Sequence, residues 1–195
     1  MTMGSFVTLR PAVREDAAEL AVLVDIAAHG FASWLWLTEV GNGGGDTPME
    51  LGRRKMRRDE GRGNWGDAVI AEAYGEIAGA AIGYGLGEGI RDIQPDRPAL
   101  KPVIDLQKTV IGSWFIVTLG VYSHLRGIGI GNRILEDQIE RAGELPVSLI
   151  TASYNEAALT LYKRNGFSEK ARVDAVSFFE SSRKHEWVLL TRDAR

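Results

Sequence analysis

One segment constrains this chain more than any other: Leu119-Gly120-Val121-Tyr122-Ser123-His124-Leu125-Arg126-Gly127-Ile128-Gly129-Ile130-Gly131-Asn132-Arg133. An apolar run from Trp114 to Val121 reads as a central strand that enters the segment. A helical pattern from Asn132 to Ala142 leaves it, with Ile134, Leu135 and Ile139 on one face. Helix N-termini present unpaired N–H groups and a partial positive charge. Glycines ahead of such a helix let the backbone approach a ligand with no Cβ in the way. A strand, a glycine turn and a helix in this order build a cradle for a pyrophosphate.

Several nucleotide folds share that physics, and the spacing separates them. A P-loop requires Lys followed by Ser or Thr after its last glycine, whereas Asn132 and Arg133 stand there. A dinucleotide fold requires G-x-G-x-x-G on the first strand and an acidic residue about 20 positions on. Here the spacing is G-x-G-x-G, it comes late in the chain, and no acidic residue closes the next strand.

The rest of the chain supplies alternating elements. Phe6 to Arg10 reads as a strand, and Arg14 to about Ala28 as a helix with Leu20, Leu23, Val24 and Ala27 at helical spacing. Aromatic-rich Phe31 to Val40 and Pro48 to Arg58 read as two further helices. Ala68 to Ala73 and Ile77 to Tyr84 form a hairpin turning near Tyr74-Gly75-Glu76. Residues 90 to 108 carry Pro95, Pro98 and Pro102 and read as a long irregular connection. Val147 to Ala152 is a strand, Asn155 to Asn165 a helix stopped by Gly166, and Val173 to Phe179 and Glu186 to Leu190 are late strands. This order predicts a mixed sheet with helices on both faces.

Bulk properties remove several classes of function. With 195 residues the chain suits a single domain, 1–195. It has no cysteine, so disulfides, thiolate metal sites and a cysteine nucleophile are impossible. His29, His124 and His185 are scattered, and no metal is expected. A formal charge of -3 argues against non-specific binding to nucleic acid or anionic membrane. The basic run Arg53 to Arg58 is followed by Asp59 and Glu60 and reads as a solvated helix face. No apolar run approaches the roughly 18 residues of a membrane span, and the N-terminus lacks a signal-peptide pattern; a cytoplasmic location is expected.

A second motif follows one helix and one strand after the glycine turn: Asn155-Glu156-Ala157-Ala158-Leu159-Thr160-Leu161-Tyr162-Lys163-Arg164-Asn165-Gly166-Phe167. It resembles N-x-x-A-x-x-L-Y-x-x-x-G-F of the GNAT superfamily of N-acetyltransferases. Arg126-Gly127-Ile128-Gly129-Ile130-Gly131 resembles the other signature of that family, Arg or Gln followed by x-x-Gly-x-Gly or Ala. Each residue also has a plain structural reading. Gly166 and Phe167 serve as helix stop and core anchor, Leu161 faces the core, Asn155 is a good helix N-cap, and Tyr162 would suit a buried aromatic position.

The resemblance implies an α/β (α+β) fold with a mixed, mostly antiparallel sheet, a central V-shaped splay and helices on both faces. It implies transfer of an acetyl group from acetyl-CoA to a primary amine of a small molecule or peptide, by direct attack in a ternary complex. Leu119, Gly120 and Val121 would line the free strand edge and polarise the thioester, with Gly120 allowing a bulge. Arg126, Gly127, Ile128, Gly129, Ile130, Gly131 and Asn132 would bind the pyrophosphate; Asn155, Ala158 and Tyr162 complete the cofactor set. Tyr162 would be the general acid at the departing thiolate. The family's strand carboxylate is missing from Trp114 to Leu119. Glu72, Asp105 and Ser153 are weak candidates for the base. The acceptor would meet Phe31 to Pro48 and Gly87 to Thr109, where Phe31, Trp34 and Trp36 form either an aromatic clamp or core. The run Gly41 to Gly45 would let the first segment close, and Glu39, Asp46, Glu88, Asp92, Asp96 and Asp105 weakly favour a cationic amine. The late strands would serve a homodimer or an intramolecular core equally well. A module of this fold that binds acetyl-CoA without turnover is the alternative.

Overall fold

The computed structural model describes residues 7–40, 46–177 and 184–194. Along them run β1 (Val7–Pro11), α1 (Ala17–Ala27), α2 (Phe31–Val40), α3 (Pro48–Met56), β2 (Ala68–Ala73), β3 (Glu76–Gly85) and α4 (Lys101–Lys108). Then follow β4 (Trp114–Val121), α5 (Ile130–Ala142), β5 (Val147–Ala152), α6 (Glu156–Arg164), β6 (Ser168–Asp174) and β7 (Glu186–Arg192). The class is mixed α/β, as the element order predicts. Two compact units emerge, one of Met1–Gly83 and Val117–Gln138, the other of Tyr84–Ile116 and Ile139–Arg195.

In the first unit β1, β2 and β3 are neighbours in that order, both pairs antiparallel, with the end of β4 beside β3. Tyr74 and Gly75 both take positive φ, 54° and 82°, which gives the two-residue hairpin turn whose twist suits antiparallel strands. Between β2 and β3 the register slips from Ala71↔Gly79 to Glu72↔Ile77, leaving Ala78 as the extra residue of a bulge. One strand face, with Ala68, Ile70, Ala80 and Ile82, packs on Leu20, Leu23, Trp36 and Met56 of α1 to α3. The opposite face, with Ala71, Ala73 and Ala81, packs on Ile130 and Ile134 of α5. This unit therefore carries helices on both strand faces.

The second unit has the order β4-β5-β7-β6. β4 and β5 are parallel, while β5–β7 and β6–β7 are antiparallel. The parallel register covers Trp114↔Val147, Phe115↔Ser148 and Ile116↔Leu149. Beyond it β5 continues along β7 to Ala152↔Trp187, and β4 runs on to Val121. Leu86, Leu106, Val110, Phe115 and Leu189 form the core of this unit.

Two expectations need correction. Residues 90 to 108 are not an irregular connection: they end in α4, preceded by 3₁₀ turns at Glu88–Asp92 and Pro98–Leu100. Pro98 and Pro102 occupy first turns, where the missing N–H has no intrahelical partner to lose, and Ile104 and Leu106 are buried. The strand expected over Val173 to Phe179 is Ser168–Asp174, with a bulge between Glu169 and Ala171; Phe178 and Phe179 lie outside the described residues, as does Gly41 to Gly45. Charged alternation and a bulge are features of a protected edge strand, and they hide its start from a hydrophobic pattern. No single helix among the described residues is long and apolar enough to cross a membrane.

Glycine is required where backbones meet in the first unit. A Cβ on Gly120 would lie 2.6 Å from the Leu23 carbonyl oxygen of α1, and one on Gly79 would lie 2.6 Å from the Gly120 carbonyl oxygen. Gly120 thus serves the close approach of α1. Gly120→Ala should lose about 1–3 kcal/mol in urea denaturation, because backbone rather than a flexible side chain has to move.

Arg10 ties β1 to β2 and to the start of α1. It donates to both oxygens of Asp16 at 2.7 and 2.9 Å and to Glu72 at 2.7 Å, and Asp16 also accepts from the Val13 N–H at 2.8 Å. The Arg10 guanidinium holds the Asp16 carboxyl below the usual carboxylate range, against the opposing effect of its burial. A carboxylate with a depressed folded pKa stabilises above its unfolded value, about 3.9, and loses that contribution as pH falls through the folded value. Asp16→Asn should cost about 2 kcal/mol in urea titrations at pH 7, with the difference shrinking below about pH 4.

Candidate active site

The first set of expected site residues is continuous within one unit. β4 delivers Leu119, half-buried against Val121, Leu125 and Ile134, and Gly120 beneath α1. Val117, in the same strand, is 44% exposed, which is unusual for an apolar residue on an interior strand. A 3₁₀ turn at Ser123–Leu125 follows, then the glycines. Gly127 and Gly129 take φ of 83° and 93°, in the left-handed region. Arg126, just ahead of Gly127, is extended. Positive-φ residues in a turn can aim successive N–H groups at one point, a backbone nest of the kind that binds anions. Directly after it comes the first turn of α5, whose N–H groups have no intrahelical acceptor. The Ile130 side chain is buried, and that of Ile128 is exposed.

Side chains hold this turn in place. Arg126 Nε donates to the Val121 carbonyl at 2.9 Å, folding the guanidinium back along the strand end. Asn132 Nδ2 donates to Glu136 at 2.8 Å. Tyr122 donates its phenol O–H to the Glu19 carboxylate of α1, and the two line a pocket of about 390 Å³ with Glu76, Ile77 and His124. Burial first, then the Glu19 bond and charge, push the Tyr122 phenol far above its ordinary range. The Tyr122–Glu19 pair was not legible in the sequence, where 103 positions separate its members.

The second set lies in the other unit. Asn155 caps α6, accepting from Ala158 N–H at 3.3 Å and donating to Thr151 Oγ1 at 3.4 Å. Its polar groups, and the Ala158 amide, are therefore already used by the cap. At the far end of α6, Phe167 N–H donates to the Tyr162 carbonyl and Gly166 N–H to the Lys163 carbonyl, both at 3.1 Å, with Gly166 at φ 82°. This is the Schellman pattern, whose accompanying hydrophobic contact joins the third residue from the end to the second beyond it. Here that contact is Tyr162 with Phe167, ring centroids 5.8 Å apart. The spacing Y-x-x-x-G-F is thus a helix stop that fixes the tyrosine ring. Tyr162 is 7% exposed, and burial pushes its phenol up to about 12. Leu161 is half-buried; Tyr162 and Phe167 carry the burial of this helix end.

The side chains considered for proton removal are engaged. Glu72 pairs with Arg10, Asp105 with Lys101, and Ser153 Oγ accepts from Glu186 N–H at 3.1 Å. The carboxylates expected to attract a cationic acceptor are mostly paired near at hand: Glu39 with Lys55, Asp46 with Arg54, Glu88 with Arg91, Asp96 with Arg97. The aromatic cluster is core: Phe31 and Trp36 are buried, and Trp34 stacks on Phe31 at 5.6 Å.

Positive φ, not lack of space, requires the two glycines of the nest, since a Cβ on either would meet nothing within 4 Å. Gly127→Ala and Gly129→Ala should each cost about 1–2 kcal/mol by chemical denaturation. Gly87→Ala, equally open but at φ -89°, should be neutral or slightly stabilising.

Residues 28–167 match the model of the acetyltransferase (GNAT) family. No curated protein matches the sequence. Among solved structures the chain resembles an N-acetyltransferase from Staphylococcus aureus Mu50, at TM-score 0.60 and 19% identity, covering 94% of this chain and 99% of that one. It also resembles yncA from Salmonella typhimurium, solved with its cofactor acetyl-CoA, at TM-score 0.59 and 18% identity over 97% and 94% of the two chains. A third is the ribosomal-protein-S18-alanine N-acetyltransferase from Escherichia coli, at TM-score 0.59 and 14% identity over 95% and 92%. At these identities the likeness establishes the fold. The family match spans more than half of the chain and both signature motifs, and on it the chain belongs to the GNAT acetyltransferases, a family of acyltransferases that use acetyl-CoA.

Proposed function

We propose that this chain is an N-acetyltransferase that moves an acetyl group from acetyl-CoA to a primary amine of a small molecule or peptide, by direct attack in a ternary complex. The observation that carries the reading is the pair of left-handed glycines, Gly127 and Gly129, set directly before α5. A pyrophosphate is an anion that such a turn and helix start accommodate through backbone N–H groups. Both units belong, on this reading, to one transferase domain spanning 1–195, and the match over 28–167 draws on each of them.

Leu119, Gly120 and Val121 present main-chain groups to the pantetheine arm and the thioester oxygen. Arg126, Gly127, Ile128, Gly129, Ile130, Gly131 and Asn132 receive the pyrophosphate, while Asn155 and Ala158 complete the set through the first turn of α6. Tyr162 is the general acid at the departing sulfur, a phenol protonated at neutral pH. No carboxylate stands in Trp114 to Leu119; water relayed through main-chain carbonyls, or an acceptor already partly neutral, would serve in place of a strand base. A lysine-like amine with pKa about 10.4 is neutral in only about one molecule in 2,500 at pH 7, so turnover should rise with pH until that fraction saturates. The same missing carboxylate supports a second reading, an acetyl-CoA-binding module without turnover. The absence of cysteine, with the charge balance, supports a cytoplasmic location and no nucleic-acid partner.

Calorimetric titration with acetyl-CoA tests the cofactor assignment. Binding should be micromolar and lost in Gly129→Glu, because a carboxylate in the nest repels phosphate and fills the space. No binding at millimolar acetyl-CoA would remove the transferase reading. Tyr162→Phe should lower kcat about 100-fold or more in a thiol-release assay over a panel of amines, with acetyl-CoA affinity retained. Binding by the unsubstituted chain with no turnover on any amine supports the non-catalytic module instead.

A further inference from the structure

We infer that Tyr122 is a positioning residue for the anion-binding turn, latched to α1 through the Glu19 carboxylate. The inference rests on the reading of residues 126–132 as the acetyl-CoA cradle. From Ser123 to Gly129 the chain has one buried side chain, Leu125; Ser123, His124, Arg126, Gly127, Ile128 and Gly129 are exposed. Glycine-rich backbone of this kind has much freedom to lose when it orders around a ligand. A binding site avoids that cost only if the segment is already held in its bound shape.

The anchors are therefore the two ends, Tyr122 and Ile130, with Leu125 between them and the Arg126 side chain bonded back to the Val121 carbonyl. Ile130 is fixed by burial in the core. Tyr122 is fixed three ways. Its N–H donates to the Ala78 carbonyl at 3.0 Å, its carbonyl accepts from Leu125 N–H at 3.0 Å, and its phenol donates to Glu19. The first two are backbone bonds that any residue would make. Of these three bonds only the third depends on the side chain, and it joins the turn to the helix that Gly120 already holds against β4; the ring, which Tyr122→Phe keeps, also packs on the core that includes Leu20 and Leu23 of α1. The pair lines an open pocket rather than sealed core, so its hydroxyl can be removed with little change in packing.

Tyr122→Phe should weaken acetyl-CoA binding about 10-fold or more by calorimetry and raise KM for acetyl-CoA to match, the loss expected for one hydrogen bond to a charged acceptor. The maximal rate at saturating acetyl-CoA should stay unchanged, and so should Tm within a few degrees. Glu19→Gln keeps a carbonyl acceptor and should retain most of the affinity; Glu19→Ala should reproduce the Phe variant. The double variant Tyr122→Phe with Glu19→Ala should be no weaker than either single one, since both remove the same bond. An unchanged Kd in Tyr122→Phe, or additive losses in the double variant, would overturn the latch and leave the transferase reading intact. Failure of the unsubstituted chain to bind acetyl-CoA would overturn both.

Discussion

Three backbones meet at Gly120, and the placement of the whole candidate cofactor turn follows from that contact. The Leu23 carbonyl of α1 sits where a side chain on Gly120 would be, and the Gly120 carbonyl sits where one on Gly79 would be. Helix, inner strand and neighbouring strand are thus packed without any side-chain spacer. With α1 fixed at that height over β4, Glu19 comes within reach of the Tyr122 hydroxyl one turn toward the N-terminus of the helix. The strand can then hand its direction to a turn that has almost no core of its own. A side chain at position 120 would lift the helix and take Glu19 with it. Glycines in this region therefore act in two distinct ways. Gly79 and Gly120 remove volume, while Gly127 and Gly129 supply a backbone conformation that leaves volume to spare.

That distinction also marks what could be read from the sequence. The strand–glycine–helix unit was legible because every part of it is local: an apolar run, a turn composition and a helical period within about twenty residues. The second motif was legible for the same reason, since a cap, a helix and its stop are all local. What failed to show depends on distant partners or on residues with two meanings. Pro98 and Pro102 suggest an irregular connection over 90 to 108 in the sequence, yet a proline in a first turn starts a helix as readily as it ends one. β6 was placed late because Ser168 to Arg172 is an exposed, charged edge with no hydrophobic alternation to detect. Glu39, Asp46, Glu88, Asp96 and Asp105 counted as negative charge in the sequence, and in the fold each has a cation beside it. The bond from Tyr122 to Glu19 had no local trace at all.

The tyrosine of the second motif carries two burdens at once. Its ring is the hydrophobic partner of Phe167 in the stop of α6, and the burial of the side chain raises its pKa to about 12. A thiol leaving group has a pKa of about 8.5, so complete proton transfer from such a phenol to a free thiolate runs uphill by about 5 kcal/mol. On the transferase reading, then, Tyr162 acts most strongly before the thiolate is fully formed. It supplies a hydrogen bond that strengthens as charge builds on sulfur, an electrostatic contribution available without reorganisation because the ring is already fixed. The proton that ends on the thiol is supplied in net terms by the amine, which must lose one to become an amide. The raised phenol pKa and the missing strand carboxylate are consistent in this light. An enzyme that draws on the neutral fraction of its acceptor needs no strong base, and an acid that passes its proton to sulfur late in the step is restored by the proton the amine releases.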